Sequence, residues 1–247
     1  MINSNHIPID YNFNDFTIAH YTQILKLLKS NYILSQYDNF NKNEKFAILR
    51  HDIDFSPQRA LRVAQVEAQE GMRSTYFIHI HSEYYNVLEE EIYKIILKIL
   101  DLEHDIGIHF DTHFYAIDSK QSIQENLLFE KELFEKLFPT KIKSFSFHNT
   151  NTFILSCQDD EYAGLINTYS AYFQKEVSYC SDSNGYWKYS RMYELVSQAT
   201  APSLQLLTHP EWWQEDAMSP WQRIKRAIYG RDTAHDQLAI ATPTSRR

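Results

Sequence analysis

The chain has 247 residues, 43% of them hydrophobic and 15% aromatic, which is enough to bury the core of one large domain. A net charge of -8 argues against a nucleic-acid backbone as the main partner. No apolar run reaches the ~20 residues needed to span a bilayer, and Met1 to Asp15 carry no apolar signal segment. Cys157 and Cys180 stand outside any C-x-x-C pair, so two free thiols in a cytoplasmic protein are expected.

Apolar spacing at Ile18, Tyr21, Ile24, Leu25 and Leu28 predicts a helix over 17–29. Residues 46–49 form a short apolar strand. Ser56-Pro57 is an N-cap followed by proline at N1, and the helix it opens ends at Glu70 before the C′ glycine Gly71. A β-branched and aromatic strand follows over 74–80, then an amphipathic helix over 87–102 and a strand over 105–110. A helix over 122–138 is stopped by Pro139, and alternation predicts a strand over 142–147. Short strands are expected at 164–168, 176–180 and 204–208, and a last helix at 219–229. No strong linker interrupts the chain, so residues 1–230 read as one domain and 231–247 as a disordered tail without amphipathic period. Strands alternating with helices indicate an α/β fold with a parallel sheet.

The polar candidates fall at strand ends. Asp52 and Asp54, His109 and His113, His148, Asp182 and His209 each lie at or just past the C-terminal end of an expected strand. That edge is where α/β folds build their sites. Asp52 and Asp54 are two apart, which puts both carboxylates on one face of a strand. A solvated aspartate capping the next helix is the plain alternative, but Ser56 already supplies that cap. Close carboxylates beside a cation can divide labour, one as ligand and one as base.

His109 and His113 have the i, i+4 spacing of helical zinc sites, here starting from a strand end. An aspartate with two histidines holds zinc or a similar ion and leaves positions open for water and substrate. Asp111 between them either orients a histidine or faces solvent. His209, directly after an apolar strand, is a natural proton donor to a leaving amine. Asp182 either fixes the His209 tautomer or pairs with another site residue. His148 is a candidate for substrate contact or charge stabilisation. Trp187, Trp212 and Trp213 offer flat faces to a sugar ring, unless they belong to the core. His79 and His81 share a strand face as a rival metal pair, with only Glu83 as a nearby carboxylate.

With these residues in hand, the chain resembles the polysaccharide deacetylases, carbohydrate esterase family 4, and most of all a bacterial branch encoded among surface-polysaccharide genes. Five motifs carry the resemblance, in order: Arg50–Asp54 (R-H-D-x-D), Gly107–His113 (G-x-H-x-D-x-H), Ser146–His148 (S-F-H), Ser181–Trp187 (S-D-S-x-G-x-W) and Leu206–Trp213 (L-L-T-H-P-x-W-W). The resemblance as a whole spans about residues 16–214 of the chain. The resemblance implies a distorted (β/α) barrel of about seven strands. It implies Asp52 as general base, an Asp54-His109-His113 metal triad and His209 as general acid. Two departures stand out. Ile53 separates the aspartates that many members have adjacent, and Ser146-Phe147-His148 replaces the family's arginine-containing R-x-P-Y motif.

The implied activity is metal-dependent hydrolysis of an N-acetyl group on an amino sugar, with a carbohydrate as partner. Zinc is the expected metal, and cobalt, nickel, manganese or ferrous iron suit the same donors. Two other readings compete: O-deacetylation or another amidohydrolysis at the same metal, and a catalytically silent carbohydrate-binding protein. Nothing in the residue pattern fixes an oligomeric state.

Overall fold

Helix α1 (Ile18–Asn31) starts on Thr17, whose side chain accepts the His20 N–H, and leads into strand β1 (Ile33–Ser35). The computed structural model describes residues 12–229, so the expected tail over 231–247 lies outside the described residues. The chain continues through β2 (Phe46–Ile53), α2 (Pro57–Gln69), β3 (Thr75–Ile78), α3 (Glu90–Asp101), β4 (Asp105–Asp111) and α4 (Lys120–Leu137). Then come β5 (Ser144–His148), α5 (Thr152–Ser156), β6 (Glu161–Tyr162), β7 (Leu165–Asn167), α6 (Ala171–Lys175) and β8 (Ser178–Ser181). The last elements are α7 (Met192–Gln198), β9 (Ser203–Thr208) and a helix α8 over 220–229. Ser56 caps α2 with Pro57 at N1, and Gly71 follows it at a φ of +69°, as the sequence predicts.

All nine strands join one sheet in the order β6-β7-β5-β4-β3-β2-β9-β8, with β1 beside β2. The path β7-β5-β4-β3-β2-β9-β8 is parallel throughout and accounts for the expected barrel strands. The two strands not foreseen are β1, parallel to the start of β2, and β6, a two-residue antiparallel edge. Among the described residues β6 and β8 do not pair, so the barrel stays open. No described helix is long and apolar enough to cross a membrane.

Strand alternation sorts the side chains into an outer and an inner set. On the outer face, Ala47, Leu49, Ile78, Ile106, Ile108 and Phe145 pack beneath the helices. On the inner face, Phe46, Ile48 and Phe77 join Tyr37, Phe173 and Val177 in an apolar plug. Moving up β2 on that inner face, the next residues are Arg50 and Asp52, both buried. Gly107 of β4 sits where a Cβ would collide with the Phe77 ring, so the plug itself demands glycine there.

His51 points the other way, into a polar network sealed under α2. Its Nε2 lies 2.7 Å from Glu67 Oε1 and its Nδ1 lies 2.6 Å from Thr208 Oγ1. Glu67 also accepts from Tyr21, Ser74 and Tyr76, which ties α1, α2, β2 and β3 together. Burial pushes the Glu67 carboxyl up, but the charge and hydrogen bond of His51 outweigh it and hold the group at about 2. A depressed carboxyl contributes stability above its ordinary value of 4.5 and loses it as pH falls towards 2. Glu67→Gln is therefore expected to lower stability at pH 7 by about 3 kcal/mol in denaturant unfolding. It should also flatten the loss of wild-type stability below pH ~4.5.

Candidate metal centre and active-site cleft

The C-terminal ends of the parallel strands open into a cleft of about 940 Å³. Asp52, Asp54, His109, His113, His148 and His209 all line it. Asp54 follows β2 directly, His109 and Asp111 alternate along the inner face of β4, and His148 ends β5. The β4–β5 register sets Asp111 opposite His148.

Ligand atoms of Asp54, His109 and His148 lie within 4.8 Å of one another. His148 Nδ1 is 3.0 Å from His109 Nε2, and Asp54 Oδ1 is 3.5 Å from His148 Nδ1 and 3.1 Å from His109 Nε2. Asp54 Oδ1 is buried yet has no hydrogen-bond partner among the described residues. Burial pushes Asp54 up, but the neighbouring rings of His109 and His148 prevail and hold it well below the usual carboxylate range. One carboxylate oxygen and two imidazole nitrogens converging on one point fit a borderline divalent cation.

The cluster contains His148 where the spacing leads to an expectation of His113. His113 is exposed and stands outside this cluster, although it borders the same cleft. The physical reason is Asp111, whose Oδ1 accepts the backbone N–H groups of His113 and Phe114. That turn ends the strand and leads His113 outwards. His79 forms a second group with Asp111 and His148. Burial together with His109 and His148 lowers the His79 ring to about 4, so it is neutral at pH 7. His79 and His81 do not act as a pair: His79 Nε2 lies 3.3 Å from Asp111 Oδ2, whereas His81 Nε2 faces the Tyr115 hydroxyl at 2.9 Å.

Asp52 sits deeper than Asp54. Its Oδ2 accepts from Arg50 Nη2 at 3.3 Å and from Ser146 Oγ at 3.1 Å, and His109 Nδ1 is 3.8 Å away. Its Oδ1 has no partner among the described residues. On the far side of Asp54, His209 Nε2 lies 3.8 Å from Asp54 Oδ2. Asp182 is fully buried beneath His209, 2.7 Å from its Nδ1, and also accepts the His209 backbone N–H. That contact places a proton on Nδ1 and turns Nε2 to the cleft. Burial works against a charged His209 ring, but the Asp182 hydrogen bond and charge, with Asp54, push it up to about 10.

Two of the three tryptophans expected to offer faces to a sugar are elsewhere. Trp213 is completely buried, packs on Phe16 and Tyr21, and donates Nε1–H to Asp182. Trp187 stacks on Phe16 and donates to Asp15. Only Trp212 of that set borders the cleft. Other aromatic residues that line it include Phe55, Tyr84, Phe114 and Tyr179, none of which the strand-end argument selects. Arg50 is also missed as a working residue, although the alternation that pairs Asp52 with Asp54 extends back to it.

No family model matches the chain, and no curated protein matches it. Solved structures similar to it include a carbohydrate esterase family 4 pseudoenzyme from Bacillus anthracis, 14% identical with a TM-score of 0.45. That match covers 77% of this chain and 63% of the other, so the chain spans less than two thirds of that protein's crystallised length. A family 4 carbohydrate esterase from the same organism is 16% identical with a TM-score of 0.45, covering 85% of both chains. The chitin deacetylase of Colletotrichum lindemuthianum is 12% identical with a TM-score of 0.42, covering 76% of this chain and 83% of the other.

Proposed function

We propose that the chain is a metal-dependent hydrolase that removes an acetyl group from the amide nitrogen of an amino sugar in a carbohydrate. The observation that carries this reading is one arrangement: a carboxylate-imidazole-imidazole cluster flanked by Asp52 on one side and His209 on the other. In this reading Asp54, His109 and His148 hold a divalent cation, zinc by preference, which polarises a carbonyl and acidifies water. Asp52 Oδ1 takes a proton from water as that water attacks the acetyl carbon. His209 then gives its Nε2 proton to the departing nitrogen as the C–N bond breaks, leaving acetate and a free amine. Asp182 favours the charged form of His209 until that transfer and keeps the ring aimed throughout.

The charged imidazole favours N-deacetylation over O-deacetylation. An amine leaves from a tetrahedral centre only after protonation, so a site with a strong cationic acid is suited to it. Exposed Phe114, stacked on His81, and the Phe55–Tyr84 pair supply flat faces for a sugar at the rim.

Two measurements test the reading. Purified wild-type protein is expected to carry a divalent ion and to release acetate from acetylated amino sugars until a chelator is added. Asp52→Asn should retain the ion, since asparagine still accepts from Arg50 and Ser146, and should lose turnover by about 10²-fold or more. Normal turnover in that variant would remove Asp52 as the base. A wild-type protein that binds sugar but never releases acetate would favour the silent-binder reading.

A further inference from the structure

We propose that Arg50 is the positioning residue that pins one oxygen of Asp52 and leaves the other free to accept a proton. The inference rests on the hydrolase reading above and deepens it. Arg50 is completely buried, at the boundary between the apolar plug and the cleft. Its Nη2 reaches Asp52 Oδ2 at 3.3 Å and the Tyr169 hydroxyl at 3.4 Å, and its Nη1 donates to Thr168 Oγ1 at 2.5 Å. The guanidinium lies 5.6 Å from the Phe77 ring centre and 5.2 Å from that of Tyr169. A planar fork held at both ends and flanked by two rings cannot swing away from the carboxylate.

The consequence is an asymmetric carboxylate. Oδ2 receives Arg50 from below and Ser146 from the side, so its lone pairs are occupied. Oδ1 is buried, has no partner among the described residues, and belongs to a residue that lines the cleft. Proton transfer needs a base fixed within hydrogen-bond reach of the proton it takes. Arg50 supplies that fixation without touching the reacting atoms.

A merely structural role for the same ion pair would predict different numbers, and a mutant cycle separates them. The variants are Arg50→Met, Asp52→Asn, the double variant and Arg50→Lys. Each is assayed for kcat, KM and bound divalent ion on the substrate that wild-type protein deacetylates best. Arg50→Met is expected to keep its metal and its KM and to lose kcat by about 10²-fold, as Asp52→Asn does. The double variant should be within about threefold of Asp52→Asn alone, because Arg50 has nothing left to position.

Arg50→Lys keeps the charge but not the fork, so its kcat should fall between wild type and Arg50→Met. Should Arg50→Met fail to fold, the double variant, with neither buried charge, and Arg50→Lys carry the comparison with Asp52→Asn. Wild-type kcat in either Arg50 single variant, or multiplicative losses in the double variant, overturns the inference. Loss of metal together with kcat in Arg50→Met also overturns it, since that is the signature of a collapsed site. A wild type without turnover on any acetylated sugar sinks the hydrolase reading and this inference with it. Wild-type turnover with an additive cycle sinks only the role of Arg50.

Discussion

Asp54→Ala is expected to lose its bound divalent ion and its turnover together, with activity falling at least about 10³-fold. Asp54 is the only carboxylate in the Asp54-His109-His148 cluster, and its Oδ1 is buried without a hydrogen-bond partner. Removing it leaves two imidazoles 3.0 Å apart without the carboxylate oxygen that completes their cluster. His109→Ala should behave the same way. The informative comparison is His148→Ala against His113→Ala, read as metal per chain and metal affinity. The geometry predicts that His148→Ala loses the ion and His113→Ala keeps it. The reverse result would mean that the turn after Asp111 refolds inwards around the ion, and that the i, i+4 pair named by the spacing is the working one.

That comparison also shows where sequence reasoning runs short. Asp52, Asp54, His109, His148 and His209 are legible because each stands at a strand end, and the strands are legible from apolar alternation. The choice between His113 and His148 depends on two facts that no local pattern carries. One is that β5 lies beside β4 in a register that sets His148 opposite Asp111. The other is that Asp111 caps two backbone N–H groups and turns the chain before His113. Arg50 was within reach, since period two along β2 places it on the face of Asp52. What hides it is burial, because an arginine in a strand is ordinarily read as solvent-facing. Trp187 and Trp213 fail for the opposite reason: a tryptophan beside a motif is as often a wall holding a catalytic group as a platform for ligand. Trp213 is such a wall, with its N–H spent on Asp182.

Asp182→Asn is expected to move the alkaline limb of the kcat–pH profile down by about two units. His209 must be protonated to act as the acid, so activity is lost as pH rises through its folded value. In the described geometry that value is pushed up to about 10, with Asp182 as the leading favourable cause and Asp54 behind it. A cation bound at Asp54 cancels the second contribution and leaves Asp182 as the group that keeps the ring charged. Asparagine retains an acceptor for the His209 Nδ1 proton but not the negative charge. The ring then stays in place and turns neutral nearer pH 7, and burial favours that neutral form. The Trp213 contact tests the same link from the other side: Trp213→Phe removes a donor from Asp182 Oδ2 without removing its charge, so the alkaline limb should stay where it is. Proton titration of the His209 ring by NMR reads the shift independently of turnover. An unchanged ring in Asp182→Asn would mean that His209 is held charged by something other than the carboxylate beneath it.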